Sequence, residues 1–483
     1  MKKIILIIMT ILLLLLGAIL YGYQYWFVHN HVAIGEEYLP CDTPRLTVTD
    51  PQLLNLDSLT RFTALQELDV RSINLSIAQY EQLREALPGC NILWNVPFQD
   101  SYFPPDIQEL TIATLSESDF ESLPYFPMLQ RVIANGCKDY AVLQTLQNNY
   151  PALDVQFTLP LNHVIYSNKE AEIISRLELH DADLSELSKV LPYFPQLNEV
   201  VFTGIMPDNE HIYELMCQYP DIFFQWELTL FGITTPNTAT TLILSGTPMN
   251  NTTELESYLK YFPNLERVEV CDCGLPSDQM DALSQRYPNI RFVWTIRVGN
   301  GTLRTDVTGF IPYKFGYHLY RPLYDKDCTE LKYCVDMVCL DLGHMDIYDL
   351  SFLANMPKLK YLIVADIPCQ DFSPIASLKE LIYLEIFVTS FTQHDILLGL
   401  TKLEDLNLGT TPANDITVLK QMHWLKRLWI PGTKLNYLQV AELREALPNT
   451  QIMVYADHST DKGWRHHQNY RDMRDLLGMF YMD

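Results

Sequence analysis

Five leucines, Leu340, Leu362, Leu384, Leu406 and Leu428, stand 22 residues apart without a break. An apolar column follows two places on (Leu342, Val364, Ile386, Leu408, Ile430), and an all-leucine column nineteen places on (Leu359, Leu381, Leu403, Leu425, Leu447). Apolar residues at i and i+2 put both side chains on one face of a strand. The later column turns the chain back, so each 22-residue unit is one coil whose apolar side cannot be buried alone. Stacking buries it and aligns the strands as a parallel sheet.

Such columns predict an α/β leucine-rich repeat solenoid, with a curved parallel sheet on one side and helices and irregular turns on the other. The pattern extends upstream less regularly. Leu46 and Val48 are followed 22 residues later by Leu68 and Val70. Then a longer unit takes over, because Tyr125-Phe126-Pro127 recurs at Tyr193-Phe194-Pro195 and Tyr261-Phe262-Pro263, 68 residues apart each time. Tyr150-Pro151, Tyr219-Pro220 and Tyr287-Pro288 alternate with it, each leading into an extended run. Each block is expected to hold about three strands, with longer helical returns that Pro stops. The segment Leu83–Pro88 reappears at Leu443–Pro448, as internal duplication would produce.

The start of the chain sets the location. From Ile4 to Val28 there is no charged residue, and a helix of that length spans roughly 37 Å, enough for a ~30 Å hydrocarbon core. A cleaved signal peptide is the competing reading, but the run exceeds a signal core and no small-x-small site closes it. Tyr21, Tyr23, Tyr25, Trp26 and Phe27 suit an interfacial belt. Lys2 and Lys3, against Glu36, Glu37 and Asp42, place the N-terminus in the cytoplasm and the bulk outside a plasma membrane. The expected organisation is a stub (1–3), an anchor (4–28), a linker (29–43), irregular repeats (44–298), an aromatic-rich insertion (299–334), regular repeats (335–456) and a C-terminal capping helix or tail (457–483).

A net charge of −25 argues against a nucleic-acid partner, which needs a basic stripe, and suits a soluble surface. Ten cysteines in a chain of this length do not make a disulfide framework, although Cys328 and Cys334 share a loop and their pairing stays open. The insertion carries Phe310, Tyr313, Phe315, Tyr317, Tyr320, Tyr324 and Tyr333. Either it projects as a binding loop, or its rings pack back and seal the irregular half against the regular one. Beyond Tyr455, Tyr470, Met473, Leu477 and Phe480 keep helical spacing, as expected of a segment capping the last coil or docking a partner. The adjacent His466 and His467 point apart, so a solvated pair is expected rather than a metal site.

One coil, Cys339 to Lys360, reads CLDLGHMDIYDLSFLANMPKLK. With its neighbours over residues 338–447, it resembles the leucine-rich repeats of internalin-type bacterial surface proteins, membrane-anchored here, down to Asp349-Leu350, Asp371-Phe372 and Asp415-Ile416 on the returning side. It departs from that family's Asn column, where this chain has Met345, Ile367, Thr389, Thr411 and Thr433. The resemblance implies a scaffold that presents a concave strand face. By position, the residues pointing onto it are Asp341, Tyr361, Ile363, Tyr383, Glu385, Phe387, Asp405, Asn407, Arg427 and Trp429. Strands about 4.8 Å apart should stack Tyr361 on Tyr383 and set Asp405 beside Arg427. Aromatic and Arg side chains make this the candidate partner-binding face, the alternative being a sheet stabilised by its own ladders. No catalytic motif is present, no cofactor or metal is expected, and Cys271-x-Cys273 is too close for a usual zinc pair. The expected function is non-enzymatic recognition of a protein or glycan partner at the cell surface. A structural or assembly role in the envelope is the alternative, and a hydrolase without a motif is the remote one.

Overall fold

A computed structural model of the chain describes residues 2–161, 163–180 and 184–479; Phe480, one of the helix-spacing residues, lies outside them. The chain forms two compact units, one from residues up to Pro207 with Glu214–Phe224, the other from Asp208–Tyr213 with everything from Gln225 onward. A helix, Lys2–Asn30, opens the first unit with its apolar side chains exposed along its length. An antiparallel hairpin, His31–Ile34 with Glu37–Pro40, then occupies the stretch read as a linker.

The irregular repeats turn out to share one plan. Three parallel strands are followed at once by a tight antiparallel hairpin. In the first unit Arg45–Thr47, Glu67–Asp69 and Asn91–Leu93 lead into Val96–Phe98 paired with Ser101–Phe103. Glu109–Thr111, Arg131–Ile133 and Asp154–Gln156 lead into Thr158–Leu161 paired with Val164–Ser167. The second unit repeats this with Thr241–Ile243, Arg267–Val270 and Arg291–Val298, the last folding back on Gly301–Arg304. The three strands per block agree with the sequence; the hairpins had no leucine column to announce them.

Coil length sets the return path. Strands 22 residues apart, such as Tyr361–Ile363 and Tyr383–Glu385, are joined through short 3-10 turns like Ser373–Ser377. Where the step is 24 residues, as from Arg427–Trp429 to Gln451–Met453, a ten-residue helix, Tyr437–Ala446, fits instead. Asn436 starts it with a capping box, its side chain accepting from the Leu438 and Gln439 amides while Gln439 reaches back. Ser76 and Gln79 do the same for Ile77–Ala86, which explains why Leu83–Pro88 and Leu443–Pro448 match.

The Tyr-Phe-Pro landmark is a joint. Its tyrosine packs on the aromatic ring that ends the third strand of the preceding block: Tyr125 on Trp94 at 5.6 Å, Tyr193 on Phe157 at 6.3 Å, and Tyr261 on Trp226 at 6.3 Å. Tyr333 repeats the contact on Trp294 at 5.4 Å without the motif. The Trp226 indole also donates to Asn209 at 2.8 Å, so its polar edge is satisfied as its ring is buried.

The regular columns form one seven-stranded parallel sheet in the second unit. Its register sets Leu340 against Leu362, Leu384, Leu406 and Leu428 in turn, all fully buried. Each such leucine contributes about 1.5–3 kcal/mol by leaving water. The sheet gains a strand at each end, Gly309–Phe310 and Gln451–Met453. Phe310 thus belongs to the sheet, although the insertion was expected to lie outside the ladder.

The missing Asn column is replaced in two ways. Thr389, Thr411 and Thr433 donate their hydroxyls to the carbonyls of Ile386, Leu408 and Ile430 at 2.6, 2.8 and 2.9 Å. Met345 and Ile367 fill the same place with buried apolar bulk. One residue earlier, His344, Asp366, Val388 and Thr410 all have positive φ, between 53° and 64°. This left-handed step aims each amide at the neighbouring coil, as from Val388 to the Gly409 carbonyl at 2.9 Å. On the return, the carboxylates of Asp349, Asp371 and Asp415 accept from the amides of Ser351, Ser373 and Thr417.

Candidate functional site

Strand alternation sends Cys339, Tyr361, Ile363, Tyr383, Glu385, Phe387, Asp405, Asn407, Arg427 and Trp429 to the side of the sheet away from the leucine columns, as the sequence requires. That side is not open to solvent. Tyr383, Glu385, Asp405 and Asn407 are 0 % exposed, and Tyr361, Ile363, Phe387, Arg427 and Trp429 are buried as well. The cover is the chain's own C-terminal segment. Trp464, Tyr470, Met473 and Leu477 form a second apolar core with Tyr361, Tyr383, Phe387 and Trp429. The expectation of an exposed concave face is therefore corrected, and the segment expected at the end of the last coil lies across this face instead.

The polar residues of the face are used up in holding the cover. Glu385 accepts from the Trp464 indole at 2.6 Å and from Arg465 at 2.6 and 3.1 Å, and also from the Tyr383 hydroxyl. Arg427 and Asp405 make the expected pair in bidentate form at 2.8 and 2.7 Å, and Arg427 also donates to the Trp464 carbonyl at 2.9 Å. Its guanidinium lies over the Trp464 ring, 4.4 Å from the centroid. Asn407 donates to the Ser459 carbonyl at 2.8 Å and the Trp429 indole to the Asp461 carbonyl at 3.1 Å. Asn469 donates to Asp405 at 2.9 Å. His467 lies 3.3 Å from Asp405, so the histidine pair is not merely solvated. Tyr383 and Tyr361 are register partners, but the ring neighbours of Tyr383 among the described residues are Trp464 and Tyr470.

Electrostatics follow from this burial. Desolvation, reinforced by Glu385, pushes the Tyr383 phenol well up. Burial works against the charge of Arg465, yet Glu385 holds its guanidinium above the usual range. Burial also raises the Cys339 thiol, whose Sγ lies 3.7 Å from the Met473 carbonyl. All ten cysteines are free, Cys328 and Cys334 included, and burial pushes each of those two up to about 12.

The cover leaves one end of the face accessible. A cavity of about 270 Å³ is walled by Ile311, Tyr313, Tyr317, His318 and Leu319, floored by Asp341, Ile363 and Ala365, and closed by Arg465 and Met479. The Asp341 carboxylate accepts from the Gly343 amide at 3.0 Å, and desolvation raises its pKa to about 6. Beside the cavity, the aromatic insertion divides. Phe310 and Tyr317 pack inward, whereas Tyr313, Leu319 and Tyr320 are 68 %, 56 % and 90 % exposed. The segment therefore neither projects whole nor packs back whole. Sequence reasoning missed Trp464 and Arg465; the signal was a lone Trp-Arg pair in a polar stretch opposite an unpaired strand glutamate.

Strand register and coil period thus define a leucine-rich repeat protein of α/β class. No protein-family model and no curated protein match the chain. Among solved structures it is similar to internalin C2 of Listeria monocytogenes, with 17 % identity over 46 % of this chain and 76 % of that one, at a TM-score of 0.24. Another Listeria monocytogenes internalin matches with 14 % identity over 87 % and 91 %, at a TM-score of 0.24. A leucine-rich repeat protein of Leptospira interrogans matches with 14 % identity over 85 % and 90 %, at 0.25.

Proposed function

We propose that this chain is a membrane-anchored, non-enzymatic recognition protein, displayed outside the cell, that captures a protein or glycan partner at the aromatic rim of its second unit. The observation that carries the reading is the exposed group Tyr313, Leu319 and Tyr320 beside the Asp341 cavity. Large apolar side chains kept in water next to a concavity are the usual anatomy of a binding site, and aromatic residues are its usual anchors. The anchor reading rests on Lys2–Asn30, a helix long and apolar enough to cross a bilayer, a test that a signal sequence also passes. Arg61 donates to the Val28 and His31 carbonyls, which ties the end of that helix to the first coils.

The test uses the full chain in detergent micelles as bait for extracellular proteins and glycans, compared with the Tyr313→Ser/Tyr320→Ser variant. The reading expects a partner that the wild type retains and the variant loses, with circular dichroism unchanged. Equal recovery by both would place recognition elsewhere.

A further inference from the structure

The segment from Ser459 to Met479 meets the concave face as a bound peptide does, not as another coil. Among the described residues it adds no strand to the seven-stranded sheet. Its polar contacts run instead to the side chains that project between the leucine columns, and these are many and directional, as at an interface. The leucine core lies on the opposite side of the strands.

Two side chains do the anchoring. The Trp464 indole and the Arg465 guanidinium both end on Glu385, and Arg427 answers from the sheet by donating to the Trp464 carbonyl. Glu385, Asp405 and Arg427 are buried beneath this segment and each hydrogen-bonds to it. Its departure returns them to water, and no charge is stranded in an apolar interior. The approach to the anchors runs through Lys462 and Gly463, a left-handed turn with φ of 59° and 83°.

We propose that the concave face is a peptide-recognition groove whose resident occupant, in cis, is residues 459–479. Its external ligand is a protein segment presenting an aromatic residue followed by arginine, which competes with Trp464 and Arg465 for Glu385 and Arg427. The resident segment sets the affinity such a ligand must exceed. The groove adjoins the aromatic-rim cavity, which Arg465 and Met479 close, but its anchors Glu385 and Arg427 do not line that cavity, so peptide exchange and the Tyr313→Ser/Tyr320→Ser comparison report on them separately.

The experiment keeps the full chain in detergent and inserts a specific protease site between Asp457 and His458. After cutting, the probe is a fluorescein-labelled synthetic peptide of residues 459–479. The proposal expects the labelled peptide to replace the cut segment while the circular dichroism of the solenoid stays unchanged. It also expects unlabelled wild-type peptide to compete at least 100-fold better than one carrying Trp464→Ala and Arg465→Ala. Absence of exchange, equal competition by the two peptides, or exchange only with loss of the strand signal would each overturn it and make the segment a fixed part of the core.

Discussion

Val388 and Thr410 are the two β-branched residues that the regular repeats hold at positive φ, and Val388 lacks a hydroxyl to offset it. A β-branched residue at φ 54° crowds its own carbonyl, and its side chain is 40 % exposed, so packing returns little. Asn tolerates this conformation. Val388→Asn should therefore stabilise the second unit by about 0.5–1 kcal/mol, read as a higher urea midpoint at constant slope. Asp341 makes a pH-dependent contribution of the opposite kind to a salt-bridged carboxylate. Its folded pKa, about 6, lies above the ordinary aspartate value of about 3.9, so the fold favours the protonated form. That stability is complete below about pH 4 and is lost as pH rises through 6. Asp341→Asn keeps an acceptor for the Gly343 amide and should remove this slope, leaving the variant more stable at pH 8 by about 1–3 kcal/mol. Denaturation curves at pH 4, 6 and 8 check it, and parallel curves for both proteins would refute it.

At the scale of elements, the test case is the docked C-terminal segment. Gly309 lies in a strand of the regular sheet, and a Cβ there would meet the Leu476 carbonyl oxygen at 2.8 Å. Gly309→Ala strains only that contact, at a cost of about 1–3 kcal/mol, so Cys339 beneath the segment should label with a small maleimide about tenfold faster or more. The repeating elements were legible in the sequence because their causes are periodic: Leu340 to Leu428 recur every 22 residues, and the Tyr125, Tyr193 and Tyr261 joints every 68. The direction of the concave side chains was legible for the same reason, since alternation along a strand is local. What covers them was not. Glu385 and Arg465 lie 80 residues apart, and the pairing of a single carboxylate with a single guanidinium leaves no period to detect. Two of the hairpins after a third strand left no glycine signal, because their turns rest on Gln99 and His163 at positive φ, whereas Gly299 turns the one that follows Arg291–Val298.

For the whole molecule, the leading helix and the two sides of the regular sheet make separate claims. If Lys2–Asn30 is an anchor, the mature chain should keep its N-terminal residues by mass and stay with membranes through alkaline carbonate extraction; a shortened, extractable chain would make that helix a signal sequence. The regular sheet carries a leucine core on one side and, on the other, a face covered by the chain's own C-terminal segment. A double-mutant cycle between Glu385→Gln and Arg465→Met, read as the maleimide labelling rate of Cys339, tests that cover directly. A coupling of about 1 kcal/mol or more is predicted for this pair of a buried carboxylate and a half-buried guanidinium. Effects that add to within about 0.3 kcal/mol would mean that Arg465 and Glu385 do not meet in solution, and the sealed face would be wrong.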